Sequence, residues 1–350
     1  MTHSAVNPLY QRPRQPALAP QPAAMPKLCV RYLPIAESLP LADNVLAAIC
    51  FGQDRPAPQS PECIHLPLEV LHGHGLREVW QGTGPVRGGH DGAIRYRADA
   101  HYLFGVIEVA ERDFADISAA TRAVYAEIMA FQRRSGKPQL LRLWNYFDSI
   151  TDGSGDGERY KQFCVGRVQG LGEQPLDLMP AATAIGRCHG TGVLQVYWLA
   201  GQSAGTSIEN PRQLSAYLYP RQYGPEPPRF ARATLTAAAQ LLISGTSSIV
   251  GHATHHGGQW RAQLRETLTN VAALLDAAKQ ICPTFSTSLG PQSLLKVYLR
   301  RASDIASVLL ELNETIAGDV PLLVLHADIC RDDLMIEMEC VQGGGAGSAA

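Results

Sequence analysis

The sequence predicts an α+β fold of two packed mixed-sheet lobes, each with helices on one face. Three observations carry this reading. Strand-like and helix-like patterns alternate along the 350 residues, and a Gly- and Pro-rich stretch near 170–190 separates two such series. The third is composition: 45% hydrophobic and 18% charged residues belong to a globular chain long enough for two ordinary cores.

The elements follow in order. Residues 1–27 are Pro-rich and aperiodic and read as a disordered tail. Tyr102 to Val109 is a β-branched and aromatic strand. Asp116 to Arg134 is an amphipathic helix, with Ile117, Val124, Ile128 and Phe131 on one face and Gly136 after its end. Leu140 to Phe147 is a strand, the acidic Gly-rich run 152–157 a loop, and Tyr160 to Val168 a further regular element. In the second half, Gly192–Leu199, Gln213–Tyr219, Phe230–Ala239 and Leu241–Val250 read as strands, the last broken at Gly245. A helix from about Gly258 to Ile281 stops before Pro283. A strand at Leu294–Leu299, a helix capped by Ser303-Asp304, and strands at Pro321–Ile329 and Leu334–Val341 complete the fold. The expected lobes are 28–185 and 186–342, followed by a flexible tail at 343–350.

A net charge of −2 argues against a nucleic-acid binder, which needs excess Lys and Arg to neutralise phosphates. No apolar run approaches the roughly 18 residues of a membrane span. The eight cysteines contain no C-x-x-C pair, and the N-terminus lacks the apolar core of a signal peptide. Free thiols without an export signal fit the cytoplasm. Composition leaves monomer and homo-oligomer open.

Several segments carry chemistry. On the last strand Glu337 and Glu339 share one face, and on an arbitrary strand such a pair is usually solvated. The run Tyr217 to Pro225 sets Tyr219 and Arg221 among prolines, a rigid aromatic wall beside a guanidinium suited to a carboxylate. Gly245 and Thr246 interrupt an apolar strand, where a glycine marks close approach by a ligand or a backbone. Lys296, Tyr298 and Arg300 form a cationic and phenolic row. His252, His255 and His256 lie at a loop-to-helix entrance with no carboxylate pattern nearby, so no metal is expected.

Taken together, these segments resemble the chorismatase family over about residues 28–342. The matching stretches are Arg142-Leu143-Trp144-Asn145-Tyr146, Glu209 to Gln213, Tyr219 to Pro225, Ile243 to Thr246, Val297 to Arg300, and Cys330 through Glu337. The resemblance implies a C-terminal lobe like the RidA/YjgF fold and an enzyme that splits chorismate into pyruvate and 3-hydroxybenzoate, with 4-hydroxybenzoate released by some relatives. It implies no cofactor. It makes Glu337 the acid that protonates the enolpyruvyl group, with Glu339 as the alternative, and marks Cys330 as a residue of 3-hydroxybenzoate-forming members. Arg167, Arg221 and Arg300 are the candidate cations for the substrate's carboxylates, beside Tyr219, Gly245, Thr246 and Tyr298. A RidA-like protein that binds a small carboxylate without turnover is the other reading. Imine deamination is disfavoured, because Leu322 stands where RidA-type deaminases carry their carboxylate-binding Arg.

Overall fold

The computed structural model describes residues 26–37, 42–53, 61–316 and 318–344; most of the two expected tails lies outside them. Three sheets organise the chain. Cys29–Pro34, Val45–Phe51, Cys63–Leu66 and Leu76–Gln81 form a four-stranded sheet that sequence patterning did not resolve. A six-stranded sheet runs in the order Ala181–Arg187, Gln139–Asp148, Val193–Gly201, Tyr102–Ala110, Ile94–Ala98, Arg87–Asp91. A seven-stranded sheet has Leu241–Ser247, Ile336–Gln342, Ser293–Leu299 and Leu322–His326 as its centre. Thr206–Ile208 and Ala233–Leu235 extend one edge, and Val70–His72 closes the other.

Two helices cover one face of the six-stranded sheet. The first, α1 (Ile117–Arg134), begins at Asp116, whose carboxylate accepts from the Ala119 amide at 2.7 Å. The second, α2 (Arg159–Leu171), is the regular element expected at Tyr160–Val168. Gly166 and Gly170 make its packing possible: a Cβ at Gly166 would lie 2.2 Å from the Ser118 carbonyl oxygen. Ile128 and Phe131 of α1 and Phe163 of α2 bury against Leu143, Phe147 and Trp198 of the sheet. Helices α3 (Trp260–Ile281) and α4 (Ile305–Thr315) cover one face of the seven-stranded sheet in the same way, through Leu264, Leu274, Val308 and Leu312 against Val297, Ile336 and Met338. The helix-free faces meet in a common core of Phe104, Trp144, Tyr197, Tyr298, Leu323 and Leu325, joined by Ile49 and Trp80 of the four-stranded sheet.

The boundary expected at 185/186 does not coincide with a break between sheets. Val193–Gly201 pairs between Tyr102–Ala110 and Gln139–Asp148, so the six-stranded sheet extends to Gly201. In return, Val70–His72 reaches across to pair with Leu322–His326. The segment Gln213–Tyr219 is not a strand either, because its chain turns in a short 3₁₀ segment at Ala216–Leu218. At the ends, Gln240 bonds both the amide and the carbonyl of Leu28, and the Gly344 carbonyl accepts from Val30. No described helix is long and apolar enough to cross a membrane.

Candidate active site

Alternation along Ile336–Gln342 turns Ile336, Met338 and Cys340 toward α3 and α4 and leaves Glu337 and Glu339 on the inner face of the sheet. That face meets protein rather than water, and both glutamates are buried. Their surroundings differ sharply.

Glu339 lies in an ionic cluster. It accepts from Arg142 Nη2 at 2.7 Å, Lys296 Nζ at 2.8 Å, Thr183 Oγ1 at 2.7 Å and Trp144 Nε1 at 3.1 Å. Burial alone would raise its carboxyl, but Lys296 and Arg142 outweigh that and hold it below its ordinary value. These partners favour the ionised form of Glu339 and make it the poorer proton donor of the two glutamates.

Glu337 has one hydrogen bond of this kind, from Ser247 Oγ to its Oε2 at 3.1 Å. Burial pushes its carboxyl up to about 8, against the lowering pull of Ser247 and with the charge of Glu339 adding to the rise. At neutral pH it carries a proton. Its Oε1 lies where a side chain of Gly245 would be, 2.0 Å from an added Cβ, so only glycine there leaves the acid this position. The strand accommodates the approach through a register shift between Ile243 and Thr246.

Glu337 opens onto a cavity of about 260 Å³ between the N-terminal turn of α2, the 219–232 segment and the loop before the last strand. Tyr160, Tyr219, Tyr223 and Phe230 give it aromatic walls; Arg232 and Arg331 give it positive charge, while Lys161 is paired with Glu158 at 2.9 Å and Asp332 adds a carboxylate at the rim of the lining. Arg232 donates to the Tyr219 hydroxyl at 2.7 Å and to the Leu214 carbonyl, and its buried Nε has no hydrogen-bond partner among the described residues. Arg331 lies 4.2 Å from the Tyr223 ring centroid and donates to the His252 carbonyl at 3.0 Å. Cys330 lines the same cavity; burial, with the Glu337 charge adding, pushes its thiol up to about 12. It is a neutral thiol at physiological pH, not a standing thiolate.

Of the residues singled out from sequence, Glu337, Cys330, Tyr219 and Gly245 line this cavity. The others do not, and all but Arg167, whose buried Nε and Nη2 have no hydrogen-bond partner among the described residues, have a visible alternative task. Arg221 is on the surface, paired with both oxygens of Asp156 at 2.8 and 2.6 Å. Arg300 staples the loop before the last strand through the Leu334, Ile329 and Arg331 carbonyls and Asp328. Arg167 is buried between α1 and α2, 5.2 Å from the Tyr125 ring centroid. Tyr298 bonds Tyr146 at 2.8 Å in the core, and the Thr246 hydroxyl turns back to the Ser244 carbonyl. Arg232 and Arg331 are the cations that sequence reasoning missed. The signal for Arg331 was its place directly after Cys330; Arg232 sits in a stretch whose alternation read as an ordinary strand.

A family model described as Chorismatase FkbO/Hyg5-like, N-terminal, matches residues 78–200. A chorismatase from Streptomyces hygroscopicus is 39% identical over 271 residues, 75% of this chain and 78% of its own length. A 3-hydroxybenzoate synthase from the same organism is 35% identical over 277 residues, covering 75% of this chain and 80% of its own. A chorismatase crystal structure superposes with a TM-score of 0.80 at 32% identity, over 90% of this chain and 98% of the other. With this coverage added to the buried acid and its cationic, aromatic cavity, the chain belongs to the chorismatase family of enzymes.

Proposed function

We propose that this enzyme converts chorismate to pyruvate and 3-hydroxybenzoate, with Glu337 as the acid. The observation that carries the reading is a buried, neutral carboxylic acid facing a small cavity lined by arginines. Chorismate bears two carboxylates and an enolpyruvyl ether. Arg232 and Arg331 supply charge for the carboxylates, and the Tyr219, Tyr223 and Phe230 walls suit the ring. Glu337 gives its proton to the enolpyruvyl methylene carbon, whose π electrons form the new C–H bond and leave an oxocarbenium centre. The C3–O ether bond then breaks and pyruvate leaves with that oxygen as its keto oxygen. The C4 hydroxyl oxygen bridges to the electron-poor C3, the C4–O bond opens, and loss of the C3 ring proton gives 3-hydroxybenzoate, whereas direct loss of the C4 proton would give 4-hydroxybenzoate. Chorismate and the sum of pyruvate and hydroxybenzoate have the same atoms, so no water is consumed overall and the ring proton can restore the acid. This chemistry calls on no cofactor. Cys330, a neutral thiol lining the same cavity, steers which ring carbon ends with the oxygen; its shared lining with Glu337 supports this role.

Purified protein incubated with chorismate should release pyruvate and 3-hydroxybenzoate in equal amounts, measured by coupled lactate dehydrogenase and by chromatography. Pyruvate accompanied by a dihydroxy-cyclohexadiene acid would mean that hydrolysis replaces aromatisation. No pyruvate at all would return the chain to the class of carboxylate-binding proteins.

A further inference from the structure

Residues 252–258 bring three histidines into one glycine-rich loop, and the sequence places no carboxylate beside them. The fold supplies one. Glu266, on the second turn of α3, lies against the loop, and one donor atom each from His255, His256 and Glu266 falls within 4.8 Å of the others. We propose that His255, His256 and Glu266 form a binding site for a divalent transition ion, one that prefers nitrogen with a single carboxylate oxygen.

Beyond proximity, the geometry is built. His256 is one of only three described non-glycine residues with positive φ, at 58°, a conformation that costs energy unless its surroundings impose it. Its carbonyl is held by the Gln259 amide at 2.9 Å and by Gln263 Nε2 at 3.0 Å, and the His255 amide by the Ser248 carbonyl at 2.8 Å. Glu266 is oriented from behind: Arg212 takes Oε1, which leaves Oε2 3.5 Å from His256 Nε2. A hydrogen-bonded carboxylate whose second oxygen faces the ion is the usual arrangement of a ligating carboxylate. Three donors around one tetrahedral ion stand roughly 3.4 Å apart at bonds of about 2.1 Å. Closing the site therefore needs only a small rotation of two exposed imidazoles. Three protein ligands leave a fourth position open to solvent. Imidazole-rich sets of this kind favour ions of the zinc, nickel and cobalt group over magnesium or calcium.

The loop also touches the cavity wall. The carbonyl of His252 and the hydroxyl of Thr254 accept from Arg331, and His252 Nδ1 meets the Tyr223 hydroxyl at 3.1 Å. An ion at His255 and His256 would tie this wall to α3.

The test is titration of the full chain with Co²⁺, read by its visible d–d absorption, because eight free cysteines make Zn²⁺ uptake ambiguous. One equivalent should bind with no thiolate-to-cobalt charge-transfer band. His255→Ala and His256→Asn should each weaken binding by at least about 100-fold, the upper end of what losing even an outer-shell partner costs. Asn tolerates positive φ, so His256→Asn keeps the loop, and unchanged pyruvate release with an unchanged circular dichroism spectrum verifies folding in both variants. Absence of Co²⁺ binding, a thiolate band, or unaltered affinity in the variants would overturn the proposal.

Discussion

At the scale of single residues, two glutamates one strand repeat apart do opposite work because of what each one faces. Glu339 meets Lys296 and Arg142 and stays ionised; Glu337 meets Ser247 and the bare face of Gly245 and stays protonated. The pH dependence follows from that. With its carboxyl near 8, Glu337 can donate a proton at neutral pH, and turnover should fall about tenfold per unit as pH rises beyond about 8. Its contribution to stability has the same sign: whole below about 4.5, declining as the unfolded chain ionises, and gone once pH has passed about 8. Glu337→Gln keeps the shape of the side chain and removes the transferable proton. Pyruvate release should fall by about 10²- to 10⁴-fold, the usual contribution of general acid catalysis, while the thermal midpoint at neutral pH should not fall but rise, because Gln needs no proton on folding. A variant that retains near-normal turnover would place the acid elsewhere.

At the scale of elements, the regular parts of the fold were legible and the loops were not. The strand from Gln139 to Asp148, α1, α3 and the last strand lie within a few residues of where periodicity sets them, since one apolar face is enough to define each. Alternation also put Glu337 with Glu339, and Lys296 with Tyr298, on one face of their own strands; the sheet register makes the two faces one. It could not tell that the opposing surface was a second sheet rather than water, which decides whether such a row is solvated or functional. The arginines show the remaining gap. Arg221 stands in the most conspicuous motif yet faces Asp156 at the surface, while Arg232 reaches the cavity from a stretch with only three residues of strand. Where a guanidinium ends depends on the path of the 209–232 segment, which no period governs. Arg300 yields a prediction at this scale. Its bonds to Leu334, Ile329, Arg331 and Asp328 hold the loop that carries Cys330 and Arg331. Arg300→Met should lower kcat/KM for chorismate by about 10- to 100-fold, because displacing positioned groups by about 1 Å has costs of that order. The loss should include kcat as well as KM; a change confined to KM would fit direct carboxylate binding by Arg300 instead.

At the scale of the whole molecule, two buried cations, Lys296 and Arg142, join all three sheets through Glu339 and Glu78. Lys296 Nζ, from the seven-stranded sheet, lies 2.7 Å from Glu78 of the four-stranded sheet and 2.8 Å from Glu339, which in turn holds Arg142 of the six-stranded sheet at 2.7 Å. Burial works against the charge on Lys296, but the two carboxylates outweigh it and hold its ammonium well above the ordinary range. The same residues approach one another across the common aromatic core, where Trp80 donates to Glu78 at 2.6 Å and Trp144 to Glu339. Lys296→Met fills similar volume, leaves Glu78 buried without a cation and leaves Glu339 with Arg142 alone. Breaking a buried pair in this way costs about 3–5 kcal/mol, a large part of the stability of any domain. Because the cluster spans the sheets, the cost should fall on the molecule as one unit. Urea unfolding followed by tryptophan fluorescence, to which Trp80, Trp144 and Trp198 of two sheets and Trp260 of α3 contribute, and by far-ultraviolet circular dichroism should give coincident transitions in the parent and in the variant, both displaced to lower urea by the substitution. Separate transitions, with only one of them moving, would mean that the lobes fold independently and that Lys296 serves its own sheet alone. Adding Glu78→Gln to Lys296→Met removes the stranded charge and should recover part of the loss, since the penalty belongs to the unpaired carboxylate more than to the missing amine.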